Sequence, residues 1–240
     1  MKIIEKVKKL FTKTNTLYYP GCITKMVYKN LEKNYQVLFE KAGIDFIQLK
    51  DAEKCCGSPV TNAGYDKDYS DLVTHNKKLV ESAGVKRIIT NCPACYNILK
   101  KEYPEIEVEH AVTVLLDAVI TKKLKLKRKF DEKITYHDPC HLGRYAGIYE
   151  EPRKLLKQLG FTIIEMARNR ESSLCCGAGG GLQNNSKSVS ERVTKMRLNE
   201  ARLLKVKKLI TACPMCYHQF KKYEDGLKIL DISEVLLECI

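Results

Sequence analysis

Short apolar runs alternate with longer amphipathic stretches along most of the chain, and the alternation predicts strand and helix in turn. Thr16 to Tyr19 reads as a strand, with Pro20-Gly21-Cys22 as the turn at its end. A helical period follows from about Lys25 to Lys41, with Leu31, Tyr35, Leu38 and Phe39 on its buried face and Gly43 as its C-terminal cap. Asp45 to Leu49 reads as a second strand, Asp66 to Ala83 as a helix closed by Gly84, and Val85 to Thr90 as a short apolar strand. A helix beginning near Tyr96, a strand at Val108 and a helix over Val112 to Ile120 complete the first half.

The order then starts again. Ile134 to His137 is a predicted strand, Arg153 to Leu159 a helix stopped by Gly160, and Phe161 to Met166 a strand. Ser188 to Leu204 is a helix and Lys208 to Thr211 a strand that runs into a further helix; Ile229-Leu230 and Ser233 to Leu237 close the chain. The correspondence reaches individual residues. Ile88-Ile89-Thr90-Asn91-Cys92-Pro93 aligns with Leu209-Ile210-Thr211-Ala212-Cys213-Pro214, and His110-Ala111-Val112 with Asp231-Ile232-Ser233. This is an internal duplication. Strands alternating with helices argue for parallel βαβ units, so the predicted fold is α/β: two tandem duplicated, Rossmann-like βαβ domains with parallel sheets. Their expected extents are 16–121 and 131–240, joined by a basic, solvated linker over 122–130. Residues 1–15 form a separate basic amphipathic segment, with Ile3, Ile4, Val7, Leu10 and Phe11 at near-helical spacing. It reads as a helix packed on its own domain or docked on a partner or membrane surface.

The cysteines follow the duplication. The first half carries Cys22, then Cys55-Cys56, then Cys92-Pro93-Ala94-Cys95; the second carries Cys140, Cys175-Cys176 and Cys213-Pro214-Met215-Cys216. Corresponding cysteines are offset by 118, 120, 121 and 121 residues. Only Cys239 stands outside the pattern, and it reads as a small buried side chain. Cys22, the Cys55 pair and Cys92 each follow a predicted strand, so all five sulfurs of a half are expected at the carboxyl edge of its sheet.

Composition narrows the chemistry. With 44% hydrophobic and 30% charged residues, the chain is expected to be folded and soluble. It shows no secretory signal and no apolar run of membrane-spanning length, so a cytoplasmic location with reduced thiols is expected. There the cysteines read as metal ligands or redox groups. The net charge of +13 suits an anionic partner or a lysine-rich solvated surface, and gives no support for sequence-specific nucleic-acid binding.

A Cys-Pro-x-Cys at a helix start presents two sulfurs on one side, in the field of a helix N-terminus that favours thiolate. Alone it fits a thioredoxin-like pair, half a zinc site or half an iron–sulfur site. The adjacent Cys-Cys-Gly is more telling, because neighbouring sulfurs do not easily share one tetrahedral ion but can bind different irons of one cluster. Five cysteines per half exceed the four that close a zinc site or cap a [4Fe–4S] cube. Iron–sulfur is the leading reading, with zinc plus one spare cysteine per half, or structural disulfides, as the alternatives.

A lone cysteine, a Cys-Cys-Gly and a Cys-x-x-Cys at these gaps, present twice, resemble the signature of the cysteine-rich CCG domain over about residues 16–240. That family includes the B-type and D-type subunits of heterodisulfide reductase and the iron–sulfur subunits of glycolate, lactate and glycerol-3-phosphate oxidising systems. His137-Asp138-Pro139-Cys140-His141-Leu142-Gly143-Arg144 and Cys175-Cys176-Gly177-Ala178-Gly179-Gly180-Gly181 look most like the branch formed by the D-type subunits and glycolate oxidase. The resemblance implies two non-cubane [4Fe–4S] clusters. Cys22, Cys55, Cys56, Cys92 and Cys95 would hold one, and Cys140, Cys175, Cys176, Cys213 and Cys216 the other, with zinc possible in one of the two sites. It implies an iron–sulfur oxidoreductase subunit that reduces a heterodisulfide-like disulfide or relays electrons for a flavin-dependent 2-hydroxy acid dehydrogenase. A zinc-stabilised interaction module is a third reading.

The longer relatives carry a ferredoxin-like Cys-x-x-Cys-x-x-Cys segment that this chain lacks, so activity is expected to need a ferredoxin-like or flavoprotein partner, with any membrane association only through that partner. The second half has His137, His141 and Arg144 around Cys140, and Arg168 and Arg170 before Cys175, where the first half has only Lys25 and Lys54. Protonating a leaving thiolate wants an acid such as histidine, and an anionic substrate wants arginine. His137, His141 and Arg144 are therefore the candidate catalytic residues; structural hydrogen bonding is their alternative role.

Overall fold

The computed structural model describes residues 15–240, so the amphipathic segment read at residues 1–15 lies, apart from Asn15, outside the described residues. The first half contains β1 (Thr16–Tyr19), α1 (Cys22–Met26), α2 (Lys29–Lys41), α3 (Ser58–Asn62), α4 (Asp66–Ser82), β2 (Arg87–Thr90), α5 (Pro93–Glu102), β3 (Glu107–His110) and α6 (Ala111–Ile120). The second contains β4 (Glu132–His137), α7 (Glu150–Gln158), β5 (Phe161–Ile163), α8 (Leu182–Asn185), α9 (Lys187–Leu203), β6 (Lys208–Thr211), α10 (Pro214–Lys221), β7 (Lys228–Asp231) and α11 (Ile232–Leu237). Every strand pairing is parallel, in the orders β1-β2-β3 and β5-β4-β6-β7. The α/β fold with parallel sheets is as the hydrophobic pattern predicts.

Three elements differ from their sequence reading. The helix expected over 25–41 is two helices, α1 and α2, broken at Val27-Tyr28. The strand expected over 45–49 shrinks to a single bridge between Ile47 and Leu17. Gln48 is drawn onto α2 instead, accepting from Gln36 and donating to Glu32 at 2.8 Å each, and Leu49 already takes helical backbone angles. Its counterpart, expected over 161–166, is also shorter: β5 keeps three paired residues, Phe161–Ile163.

One apolar core runs through both halves. It joins Tyr18, Tyr35, Phe39 and Leu115 to Leu155, Leu156, Val235 and Leu236. Helix α2 packs on α11 and α6 on α7, so the first crossover helix of each half meets the last helix of the other. Fully burying one such leucine contributes roughly 1.5–3 kcal/mol. Cys239 is sealed in this core. The basic run 122–130 keeps its lysines exposed but is pinned: Leu124 is buried, Lys127 N–H donates to the Cys239 carbonyl at 2.7 Å, and Phe130 stacks on Phe161 at 4.3 Å. Among the described residues no helix is long and apolar enough to cross a membrane.

Candidate metal centre

Parallel strands end on one side, and the sequence places a cysteine just past four of those ends: Cys22 after β1, Cys92 after β2, Cys140 after β4 and Cys213 after β6. Cys92 and Cys213 keep extended backbone as the N-caps of α5 and α10, with Pro93 and Pro214 in the first turn, where a missing N–H costs nothing. One turn on, Cys95 and Cys216 face the same way. The Cys-Cys loops arrive after matching single 3-10 turns, Lys50–Ala52 and Arg170–Ser172, each opened by a residue of positive φ, Lys50 and Arg170.

Within each half the five thiols touch in a chain. Cys22 meets Cys55, Cys55 meets Cys56, Cys56 meets Cys95 and Cys95 meets Cys92. The second half repeats this with Cys140, Cys175, Cys176, Cys216 and Cys213. The first cysteine of each adjacent pair is strongly acidic. Hydrogen bonds from Cys22 and Cys56, helped by the Gly57 N–H at 3.4 Å, pull Cys55 down to about 3. Cys175 is held lower still by Cys140 and Cys176, with the Gly177 N–H at 3.3 Å. Cys22 and Cys56 rise in exchange because they donate to Cys55. All eleven cysteines are free.

These are features a metal–sulfur cluster uses: unbridged sulfurs in excess of a tetrahedral set, backbone N–H groups aimed at sulfur, and glycine where a side chain would intrude. A Cβ on Gly21, at φ +76°, would stand 3.0 Å from the Cys95 sulfur. The donor set fits a polynuclear iron–sulfur group in each half.

The two sets face each other across one cavity of about 210 Å³, lined by Cys22, Cys55, Cys56, Cys92 and Cys95 from one side and Cys140, Cys176, Cys213 and Cys216 from the other. Each Cys-x-x-Cys helix touches the first-cysteine loop of the opposite half. Asn97 on α5 donates to the His141 carbonyl at 2.7 Å, and Tyr28, just past α1, meets His218 on α10 at 3.1 Å.

The three residues singled out beside Cys140 separate here. His141 lines the cavity, stacked on Tyr145 at 4.8 Å, with Nδ1 unpartnered among the described residues. Burial lowers its pKa, so the resting ring is neutral. Arg144 lies outside the lining, where its guanidinium donates to the carbonyls of Glu171 and Ser173, fastening the loop ahead of Cys175. His137 is fully buried behind the second set, its ring edge-on to Phe220. Arg168 pairs with Glu200 and Arg170 with Glu150.

The clamps on the Cys-Cys loops are legible only once the duplication is laid out in three dimensions. Asn76 on α4 binds Lys54 N–H at 2.9 Å and the Cys55 carbonyl at 3.1 Å, and the equivalent residue on α9 is Arg197. Thr194 donates to the Cys176 carbonyl at 2.8 Å. Glu53 lines a second hollow of about 250 Å³ beside Cys22 and Cys55. Burial raises it to about 7, against the pull of Lys25 at 3.6 Å.

The cysteine-rich domain family CCG matches residues 16–100 and 134–221. Among curated proteins, the EtfAB:quinone oxidoreductase of Syntrophomonas wolfei is 34% identical over 92% of this chain and 34% of its own length. The D-type subunit of the dihydromethanophenazine:CoB–CoM heterodisulfide reductase of Methanosarcina acetivorans is 31% identical over 95% of this chain and 59% of its own. The chain thus spans about a third to three fifths of these relatives. A hypothetical protein from Helicobacter pylori shares the fold, with a TM-score of 0.67 over 99% of this chain and 53% of that one at 13% identity.

Proposed function

The chain belongs to the family of cysteine-rich CCG domains, and from that premise we propose that it is an iron–sulfur subunit of a heterodisulfide-reductase-like oxidoreductase. Cys22, Cys55, Cys56, Cys92 and Cys95 hold one [4Fe–4S] group of the non-cubane type; Cys140, Cys175, Cys176, Cys213 and Cys216 hold the other. When bound, such groups supply single electrons at fixed positions. The observation that carries the reading is the shared cavity: sulfurs of both sets open onto one space, so a substrate held there meets both.

A disulfide suits that space. Its reduction consumes two electrons and two protons, breaks one S–S bond and releases two thiols, and groups held on the two sides of the cavity would supply the electrons. The walls Ala94, Pro139, Ala178 and Met215 are small or apolar and displace water from the reacting sulfurs. Among the lining residues His141 is the protonatable side chain besides the cysteines. Burial keeps it neutral at rest, and a thiolate formed beside it raises it toward the range in which an imidazolium passes a proton on. Arg144 acts on this chemistry through the loop it fastens. The electron donor is a ferredoxin-like or flavoprotein subunit or domain, which the positive surface attracts when its docking face is acidic.

Electron relay without substrate chemistry is the second reading, favoured by the similarity to an EtfAB:quinone oxidoreductase along 92% of the chain. Anaerobic purification followed by iron, zinc and acid-labile sulfide analysis tests the shared premise. About eight irons with matching sulfide support it, and zinc without iron overturns it. Reduction of a heterodisulfide by this chain with an artificial one-electron donor then separates catalysis from relay.

A further inference from the structure

The two halves end their first strands on different residues. Tyr19 closes β1 and His137 closes β4, at equivalent positions of the duplication. Tyr19 gives its only side-chain proton to the Lys54 carbonyl at 2.6 Å. His137 presents Nδ1 to Nε of Arg197 at 3.1 Å. A guanidinium only donates, so Nδ1 must accept, and the neutral ring then carries its proton on Nε2. That nitrogen is buried with no hydrogen-bond partner among the described residues. The ring stands beside the sulfurs: a His137 nitrogen and the Cys176 and Cys216 Sγ atoms lie within 4.8 Å of one another.

Arg197 is itself fixed. It is fully buried and donates from Nη1 to the Arg168 carbonyl and Glu200, at 2.6 Å each, and from Nη2 to Ser173 Oγ at 3.0 Å. With Nε so aimed, His137 is a poor metal ligand through Nε2. Ligation there would put the ring proton on Nδ1, against the Arg197 N–H.

We propose that His137, its tautomer set by Arg197, donates Nε2–H to the sulfurs of the second cysteine set and thereby makes the group held there the more readily reduced of the two. Hydrogen bonds to cluster sulfurs stabilise the added electron. The glycine N–H donors, Gly57 to Cys55 and Gly177 to Cys175, are matched in the two halves and cancel. Among the described residues the first half has no counterpart of the histidine: Tyr19 is committed to a carbonyl, and neutral Asn76 stands where Arg197 stands. His137 is a positioning residue, and electrons that enter at the first set run toward the second.

The tautomer follows from protein geometry alone; the consequence for electron flow rests on the iron–sulfur reading. The test is pulsed electron paramagnetic resonance on the reduced, 15N-histidine-labelled whole protein, with a potentiometric titration of the same sample. The expected result is one weakly coupled histidine nitrogen with an exchangeable proton near the higher-potential centre. His137→Phe removes that signal and lowers that centre's potential by about tenfold in its one-electron equilibrium, about 59 mV, while Tyr19→Phe shifts neither centre. Arg197→Met, which unlocks the tautomer, shifts the same centre even where His137→Phe does not fold. A strongly coupled nitrogen, meaning ligation, or unshifted potentials in variants with full iron content overturn the inference. A protein without iron overturns the reading beneath it instead.

Discussion

The Tyr35 phenol on α2 donates to Oδ1 of Asp231, the N-cap of α11, at 2.9 Å, with both side chains sealed from solvent. The bond joins the first half to the second across 196 residues of sequence. The duplication does not repeat it. Arg153 stands where Tyr35 stands and His110 where Asp231 stands, yet Arg153 turns to Asp138 and Glu165, and His110 accepts from Val112 N–H at its own helix start. The α2–α11 contact thus carries a polar bond that Arg153 and His110, at the equivalent positions, do not make with each other.

Tyr35→Phe keeps the ring packed against Tyr18 and Phe39 and removes only the hydroxyl. A hydrogen bond to a buried carboxylate contributes about 1.5–3 kcal/mol. The variant is expected to lose that much in urea denaturation and to melt several degrees lower. An unchanged midpoint would mean that the bond contributes nothing to holding the halves together.

Arg153 is a buried cation between two acids, with Nη1 and Nη2 on Asp138 at 2.6 and 2.8 Å, and Nε and Nη2 on Glu165 at 2.7 and 2.9 Å. Asp138 also accepts the Arg170 N–H at 2.9 Å, so the cluster ties the Cys140 turn to the loop leading to Cys175. Arg153→Met strands the Asp138 charge and is expected to cost about 3–5 kcal/mol. Lysine cannot restore the fork. Adding Asp138→Asn removes the stranded charge and should recover part of the loss, and a double variant no more stable than the single would count against this account.

The two Cys-Cys-Gly turns look alike in sequence but differ in tolerance. Gly57 and Gly177 both have positive φ, at +89° and +92°. An added Cβ at Gly57 meets the Tyr69 ring at 2.6 Å, a side chain able to swing; at Gly177 it meets the Ser190 carbonyl at 2.6 Å, in the backbone of α9. Both alanine variants bear the left-handed strain of about 1–2 kcal/mol. Gly177→Ala adds a clash that only backbone movement relieves. Iron per protein should therefore fall further in Gly177→Ala than in Gly57→Ala; equal losses would remove α9 from the explanation.

How much of this is legible in the sequence depends on range. The strands, the longer helices and the sulfur pattern rest on local periodicity and spacing, and apart from the two elements near residues 25–49 and the shortened strand at 161–163 they stand near where the pattern puts them. The strand expected at 45–49 fails because its apolar alternation says nothing of Gln36 and Glu32, which capture Gln48. His137, His141 and Arg144 are neighbours in sequence, and nothing there tells that one faces the cavity, one fastens a loop and one lies behind the sulfurs. Arg197 and Asn76 carry no motif at all. Their equivalence emerges only when α4 and α9 are superposed in register.

Acid should reveal His110. Burial lowers its pKa to about 3, opposed only by a bond involving the Asn91 backbone, against about 6.5 in the unfolded chain. Above pH 6.5 neither state takes the proton, and the stability contribution is complete. Below it the unfolded chain binds a proton that the folded protein refuses until about pH 3. Stability is therefore lost as pH falls through that window, by up to roughly 1.4 kcal/mol per unit. His110→Asn retains a capping side chain and does not titrate there. Its urea-derived stability should fall less steeply than the wild type's between pH 6.5 and 5, with a slope difference approaching that value. His137, also held neutral by burial, is common to both proteins and cancels in the comparison. Parallel slopes would mean that His110 reaches solvent and takes its proton while folded.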